Sequence, residues 1–302
     1  MAPKHPVVVV GGSNLDIIAS TYQNTRLQDS NPGYVRFSHG GVGRNIAENL
    51  GRLRVPALFI TVTGQDKSGR AIAEELTRLG VAVDGAIASQ TSSYVAVHDK
   101  GGDMVVAVND MEAMEALNTN VIESFIGLIS KAAVVVIDAN IPGQAIAMIL
   151  RAHPRVIIDG VSTAKVKRLE GILDRIHTLK LNKHEAGALV DVDIHDIESA
   201  KEATKELLHK GIKRVYLTMG EAGVVVGDDK AIVHHPAIYV HPAKANGAGD
   251  AFTAGLVYGR YHGIEEVEAA LELARLTLEV DEAVNPNLED KIDDWLTSRD
   301  RR

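Results

Sequence analysis

Cysteine is absent from the 302 residues, which excludes disulfide frameworks, thiolate nucleophiles and cysteine-ligated zinc, and permits a reducing compartment. No apolar run approaches the roughly 20 residues needed to cross a bilayer. Met1 to Pro6 lacks the extended apolar segment of a signal peptide, so the expected location is the cytoplasm, with no membrane partner. An excess of basic charge is also missing. With 32 Lys and Arg against 40 Asp and Glu the formal net charge is -8, which argues against wrapping nucleic acid, whose phosphates are gripped by clustered cations. The end segment Arg299, Arg301 and Arg302 is interrupted by Asp300 and reads as solvated. The histidines, His234-His235 included, show no metal-ligand spacing. Fixed-period repeats, low-complexity tracts and long linkers are absent too. No Gly-x-Gly-x-x-Gly follows the first β-branched run, which counts against the dinucleotide binding that Gly11-Gly12 would otherwise suggest.

What is present is an ordinary globular composition, 45% hydrophobic and 24% charged with 27 glycines. Short β-branched runs alternate with helical stretches, the pattern of parallel strands joined by crossover helices. The strand candidates are 7–10, 57–62, 133–137, 156–158, 178–181 and 214–218. Apolar residues at helical spacing predict helices over 42–53, 68–79, 197–209, 250–261 and 264–278. The expected fold is a layered α/β/α domain with a central, mostly parallel sheet. Ligands in such sheets bind beyond the carboxyl ends of the strands, which makes Asn14, Asp16, Asp138, Asn140, Asp159 and Asn182 candidates by position. Two segments, about 17–38 and 86–109, break the alternation and read as strands outside the main sheet. They are expected either to form a small β lid over a cleft or to be edge elaborations of a single domain.

The strongest local signal is Asn246-Gly247-Ala248-Gly249-Asp250-Ala251-Phe252, a glycine-rich turn running into an amphipathic helix. Backbone N–H groups converge there without Cβ obstruction, and the helix N-terminus adds a partial positive charge suited to a phosphoryl group. A carboxylate beside that anion, Asp250, can take a proton from an incoming hydroxyl. The alternative is that Asp250 only caps the helix.

This turn resembles the signature of the PfkB, or ribokinase-like, carbohydrate and nucleoside kinases. Gly40-Gly41-Val42-Gly43-Arg44-Asn45, Gly64-Gln65-Asp66-Lys67-Ser68-Gly69, Asn182-Lys183-His184-Glu185 and Thr218-Met219-Gly220-Glu221-Ala222-Gly223 are similar to further motifs of that family, in order along nearly the whole chain. The resemblance implies ATP and Mg²⁺ as cofactors. It implies Asp250 as base with Gly247, Ala248 and Gly249 as the anion turn. Asn182, Glu185, Thr218, Gly220, Gly223 and Asn246 are implied on the nucleotide side, with Glu185 meeting the metal through water. Asn14, Asp16, Gly40, Gly41 and Asn45 form a polyol-binding set. Many members carry Asp-Thr where this chain has Lys244-Ala245, so no potassium dependence is expected.

The run from Thr91 to Tyr94, the segment Ala107 to Met111, and Val284 to Leu288 are similar to the pseudouridine-kinase branch of the family. That likeness implies phosphorylation of pseudouridine at its 5'-hydroxyl, with Ser93, Tyr94 and Asn109 contacting the base. The competing expectations are another sugar or nucleoside kinase with the same Asp250 chemistry, and an idle nucleoside sensor. The family habit of pairing through lids implies a homodimer.

Overall fold

The computed structural model describes residues 6–240 and 246–299. Val7–Val10 (β1) leads directly into Asn14–Thr21 (β2) and Gly33–Gly40 (β3). Then follow Val42–Arg52 (α1), Ala57–Gly64 (β4), Lys67–Arg78 (α2), Val81–Ala88 (β5), Ser93–His98 (β6) and Met104–Asp110 (β7). The middle of the chain supplies Thr119–Ile129 (α3), Val134–Asp138 (β8), Gly143–Ala152 (α4), Ile157–Asp159 (β9), Thr178–Asn182 (β10), Lys183–Val190 (α5) and Ile197–His209 (α6). Arg214–Thr218 (β11), Val224–Gly227 (β12), Ile232–His235 (β13), Ala248–His262 (α7), Glu266–Leu278 (α8) and Leu288–Arg299 (α9) complete the order.

The strand order in the main sheet is β13-β12-β11-β10-β9-β8-β1-β4-β5, parallel from β11 to β5 and antiparallel where β12 and β13 close one edge. Val7 to Val10 shows why the run is uniformly apolar. Val8 and Val10 pack into one core with Ile137, Ile146, Leu181 and Leu207, while Val7 and Val9 pack into a second with Leu50, Phe59, Leu256 and Leu273. A strand in a sheet covered on both faces must be apolar at every position. Helices α3 to α6 line the first core, and α1, α2, α7 and α8 the second, giving the α/β/α layers expected from the alternation.

A second sheet, β3-β2-β6-β7, stands apart from the first. The sequence reading drew its later segment as 86–109, and there the structure differs. Residues 86–88 belong to β5, paired in parallel with β4 at the edge of the main sheet, and the small sheet begins at Ser93. Asp66 marks the boundary: it caps α2 by accepting from Gly69 N, and also accepts from the backbone and hydroxyl of Thr91.

Directly paired residues share a sheet face. In the small sheet Ser38, Asp16, Tyr94 and Asn109 form one lateral row, and Phe37, Ile17, Val95 and Val108 form the next, on the opposite face. That opposite face is apolar and open: Phe37 is 66% and Val108 63% exposed.

Candidate active site

Helix α7 begins at Ala248, and its N-cap is Gly247 in the left-handed region at φ 80°. A side chain on Gly247 would also collide with the Ala283 carbonyl, so the turn requires glycine on two counts. Asp250 therefore lies in the first turn, with its carboxylate committed to Asn45 rather than to capping. Asn45 Nδ2 donates to Asp250 Oδ2 at 2.7 Å, which joins α1 to α7 and ties Asp250 to one residue of the expected polyol set.

Around Asp250 the ends of three adjacent strands bring charge together. Asp138, at the end of β8, is fully buried and accepts from Gly12 N at 2.8 Å, Gly43 N at 2.7 Å and Asn140 N at 2.9 Å. It ties the turn after β1 to the start of α1, and burial holds its carboxyl above the usual range despite these donors. Asp159, at the end of β9, accepts from Thr253 Oγ1 at 2.7 Å and from Lys180 Nζ at 3.1 Å. Lys180, on β10, lies directly under the anion turn: a Cβ on Gly249 would come within 3.0 Å of Nζ. Burial pulls the ammonium of Lys180 down, but the attraction of Asp159, Glu185 and Asp250 outweighs it and keeps its pKa above the ordinary value.

Asp250 is pushed up to about 7, chiefly by burial and then by repulsion from Asp159, against the opposing pull of Asn45 and Lys180. A carboxyl balanced near neutrality is suited to accept a proton at physiological pH.

Asn14, Asp16, Gly40 and Gly41 adjoin one another, and Asn45, whose N–H donates to the Gly41 carbonyl, links them to Asp250. Asn14 pairs with Gly40 across β2 and β3, and its Nδ2 donates to Asp16 Oδ1 at 2.6 Å. Gly40 is required because a Cβ there would strike the Asp16 carboxylate, and Gly41 has φ 102° at the N-cap of α1. Burial raises the Asp16 pKa, opposed by Asn14, Arg44 and His39. Tyr94 and Asn109 share the Asp16 face of the small sheet. Ser93 is on the other face, in the row of Leu15 and Asp110, so strand alternation separates it from its neighbour.

On the other side of the turn a cavity of about 1070 Å³ is lined by Lys180, Asn182, Thr218, Gly220, Gly223, Ala248, Gly249 and Phe252, among others. Gly220 and Gly223 both have positive φ, at 61° and 96°, which turns the chain sharply between β11 and β12. Asn246 is exposed at the start of the turn, and Lys244-Ala245 lies outside the described residues. Asn182 caps α5 in a reciprocal box: its Oδ1 accepts from Glu185 N at 3.0 Å, while Glu185 accepts from Asn182 N at 2.9 Å and from Nδ2 at 2.5 Å.

The sequence reading missed Lys180. Its signal was a lone cation in the alternating Thr178-Leu179-Lys180-Leu181-Asn182, on the face shared with Asn182, which lines the same cavity.

A family model described as pfkB family carbohydrate kinase matches residues 4–289. The chain is 33% identical to the pseudouridine kinase of Escherichia coli (strain K12) over 95% of each protein. The chain belongs to the PfkB family. It is a phosphotransferase that acts on an alcohol group of a small sugar or nucleoside. This PfkB kinase is also 25% identical to the guanosine-inosine kinase of Exiguobacterium acetylicum, over 83% of this chain and 86% of that one. Its fold matches the Arabidopsis thaliana ribokinase solved with ribose and ATP, with a TM-score of 0.81 and 22% identity over 96% of this chain and 99% of that one.

Proposed function

We propose that this PfkB kinase transfers the γ-phosphoryl group of ATP to the 5'-hydroxyl of pseudouridine. The observation that carries the chemistry is the position of Asp250, a carboxyl balanced near neutrality, between a polyol-binding set and a cavity that share the N-terminus of α7. The acceptor is argued from the near full-length similarity to a pseudouridine kinase.

In this reading the ribose hydroxyls bond to Asp16, Asn14 and Asn45, and the nucleotide fills the cavity with its terminal phosphate at Gly247 to Gly249. Asp250 removes the 5'-hydroxyl proton as that oxygen attacks the γ-phosphorus. The bond from the γ-phosphorus to the bridging oxygen breaks and ADP leaves. The free amides of the first turn of α7 and the Lys180 ammonium stabilise charge on the phosphoryl oxygens.

Both carboxylate oxygens of Glu185 are already hydrogen-bonded to Asn182. Among the described residues no group of three His, Cys, Asp or Glu forms a metal cage. That donor set fits Mg²⁺, an ion that keeps most of its waters, held by phosphate oxygens and reached from Glu185 through water. When bound, it would neutralise phosphate charge.

Pseudouridine differs from uridine by a ring N–H left free by its carbon glycosidic bond. Tyr94 and Asn109, on the face of the small sheet that carries Asp16, are the groups assigned to read it; Ser93 is assigned a contact only from the sheet's other face. The small sheet acts as a lid in this reading, and its open face, with Val35, Phe37, Val106 and Val108, is the surface assigned to a homodimer. An ATP-dependent enzyme of this kind works in the cytoplasm. A second reading, a purine nucleoside as acceptor, draws on the similarity to guanosine-inosine kinase.

The test is a magnesium-ATP assay of the wild type and Asp250→Asn on pseudouridine, uridine, inosine, adenosine and ribose. Preference for pseudouridine that collapses in Asp250→Asn supports the reading. Turnover of another acceptor with the same collapse removes pseudouridine but keeps the base.

A further inference from the structure

Arg44 is among the most deeply buried charged residues of the chain at 7% exposure, and it touches neither the cavity nor the turn of α7. Its contacts run in two directions. Nη1 donates to the His39 carbonyl at 3.0 Å, where β3 ends, and to Asn45 Oδ1 at 3.1 Å. Nη2 lies 2.6 Å from Glu48 Oε2 and 3.5 Å from Glu75 Oε2, and Glu75 also binds His39 Nδ1 at 2.8 Å. Glu48 on α1 and Glu75 on α2 thus clamp the guanidinium, and its orientation is not free.

That clamp decides the orientation of a neighbouring amide. A guanidinium only donates, so the atom of Asn45 that faces it must be the oxygen. The other atom, Nδ2, then points at Asp250, where it donates to Oδ2 at 2.7 Å. The Asn45 carbonyl accepts from Asn49 Nδ2 at 2.8 Å, which fixes the backbone of the same residue. Without Arg44 the amide could turn and present its oxygen to a carboxylate, which repels it.

We propose that Arg44 is a positioning residue for the catalytic carboxylate, acting through the amide of Asn45. This rests on Asp250 being the base of the reaction. Because the same Nη1 holds the end of β3, the strand that carries Ser38 and Gly40 is linked to the base by three hydrogen bonds in series. Arg44 does not touch the reacting atoms.

The groups that face the two ends are known. Arg44 faces Glu48, Glu75, His39 and, at longer range, Asp16. Asp250 faces Asn45 from α1, Asp138 from β8, Asp159 from β9 and Lys180 from β10. Loss of the Asn45 donor therefore leaves Asp250 with two carboxylates and a single cation.

The experiment reads Asp250 directly, by carbon-13 NMR titration of side-chain carboxyls in the full-length protein without substrate. The Asp250 signal is assigned by its loss in Asp250→Asn. Arg44→Met is expected to move the Asp250 midpoint up by roughly 0.5 to 1 pH unit, the size of one hydrogen bond to a carboxylate. Arg44→Lys, which keeps the charge but loses the fork, is expected to give an intermediate shift and to remain folded if Arg44→Met does not. In an Asn45→Ala background Arg44→Lys and Arg44→Met should add nothing. An equal shift in that background would mean that the Arg44 charge acts directly through space, and no shift in any background would mean that Arg44 only braces α1; either overturns the proposal. Since the readout needs no turnover, failure of the kinase reading would appear separately, as retained activity in Asp250→Asn.

Discussion

Lys180 Nζ lies 3.1 Å from Asp159 Oδ2, beneath the bare Cα of Gly249, so a buried ion pair forms the floor of the anion turn. With Lys180 only 5% and Asp159 only 1% exposed, removal of Lys180 leaves the Asp159 carboxylate buried without the cation that pairs with it. Lys180→Met is expected to cost roughly 3–5 kcal/mol, readable in urea or thermal unfolding. In enzyme that remains folded, the KM for ATP should rise more than the KM for the acceptor, because Lys180 lines the cavity proposed to take the nucleotide.

Asp250 must be deprotonated to act as a base, and its carboxyl is pushed up to about 7. In a profile of kcat/KM for the acceptor, activity should therefore be full above roughly pH 8 and fall about tenfold per pH unit below 7. Asp250→Asn is expected to lower kcat by about 10²- to 10⁴-fold and to abolish this limb. A profile that stays flat down to pH 5 would remove Asp250 as the base.

The same shift has a consequence for stability, with a definite sign. A carboxyl whose folded pKa is raised binds its proton more tightly in the folded than in the unfolded chain. The folded state is thus favoured as pH falls through 7 and penalised as pH rises from the unfolded value to 7. At pH 8 the penalty is complete. Asp250→Asn should then raise Tm, by roughly 4–8 °C for a chain of this size, and the gain should vanish near pH 4.

Gly247→Ala meets both a positive φ and the Ala283 carbonyl. We expect the N-terminus of α7 to move and kcat to fall at least about 10-fold, since misplaced donors lose charge stabilisation. Gly263, with φ 74° and no atom near its missing Cβ, is the control. Gly263→Ala should cost only about 1 kcal/mol of stability and leave kcat unchanged.

Phe37→Glu combined with Val108→Lys puts charge on the open face of the small sheet, where both residues are more than half exposed. Light scattering is expected to find a dimer for the wild type and a monomer for the variant. A wild-type monomer would remove the homodimer.

Much of the scaffold was legible because it is simple in physical terms. Val7 to Val10 reads as a strand since both faces are covered, and Ile197 to His209 reads as a helix since only one face is. Thr119–Ile129 and Gly143–Ala152 were not picked out, because runs such as Ile-Gly-Leu-Ile and Ala-Ile-Ala-Met-Ile-Leu fill in the polar face on which periodicity depends. Residues 86–88 at the end of strand β5, which is partly exposed at a sheet edge, fall in the segment that breaks the alternation and so read as lid. In the site, Asp250, Asn45 and Asn182 carry local motifs. Arg44 lies in the same motif as Asn45 and Lys180 in a plain strand, but neither position reveals a role, since their partners lie 21 and up to 31 residues away in sequence and only the fold supplies those.

The alternation of the small sheet binds two traits to one register. On β6 and β7, Tyr94 and Asn109 look toward the acceptor side while Val95 and Val108 look away from it. If the proposed assignments of the two faces hold, a transplant of the β6–β7 hairpin into a related kinase would carry acceptor preference and subunit pairing as one cassette. A single-residue insertion in β6 would reverse the faces of the β6 residues on one side of it, moving Tyr94 off the Asp16 face or Val95 onto it. Exchanges that respect the two-residue beat of the strand can alter one face while leaving the other as it is.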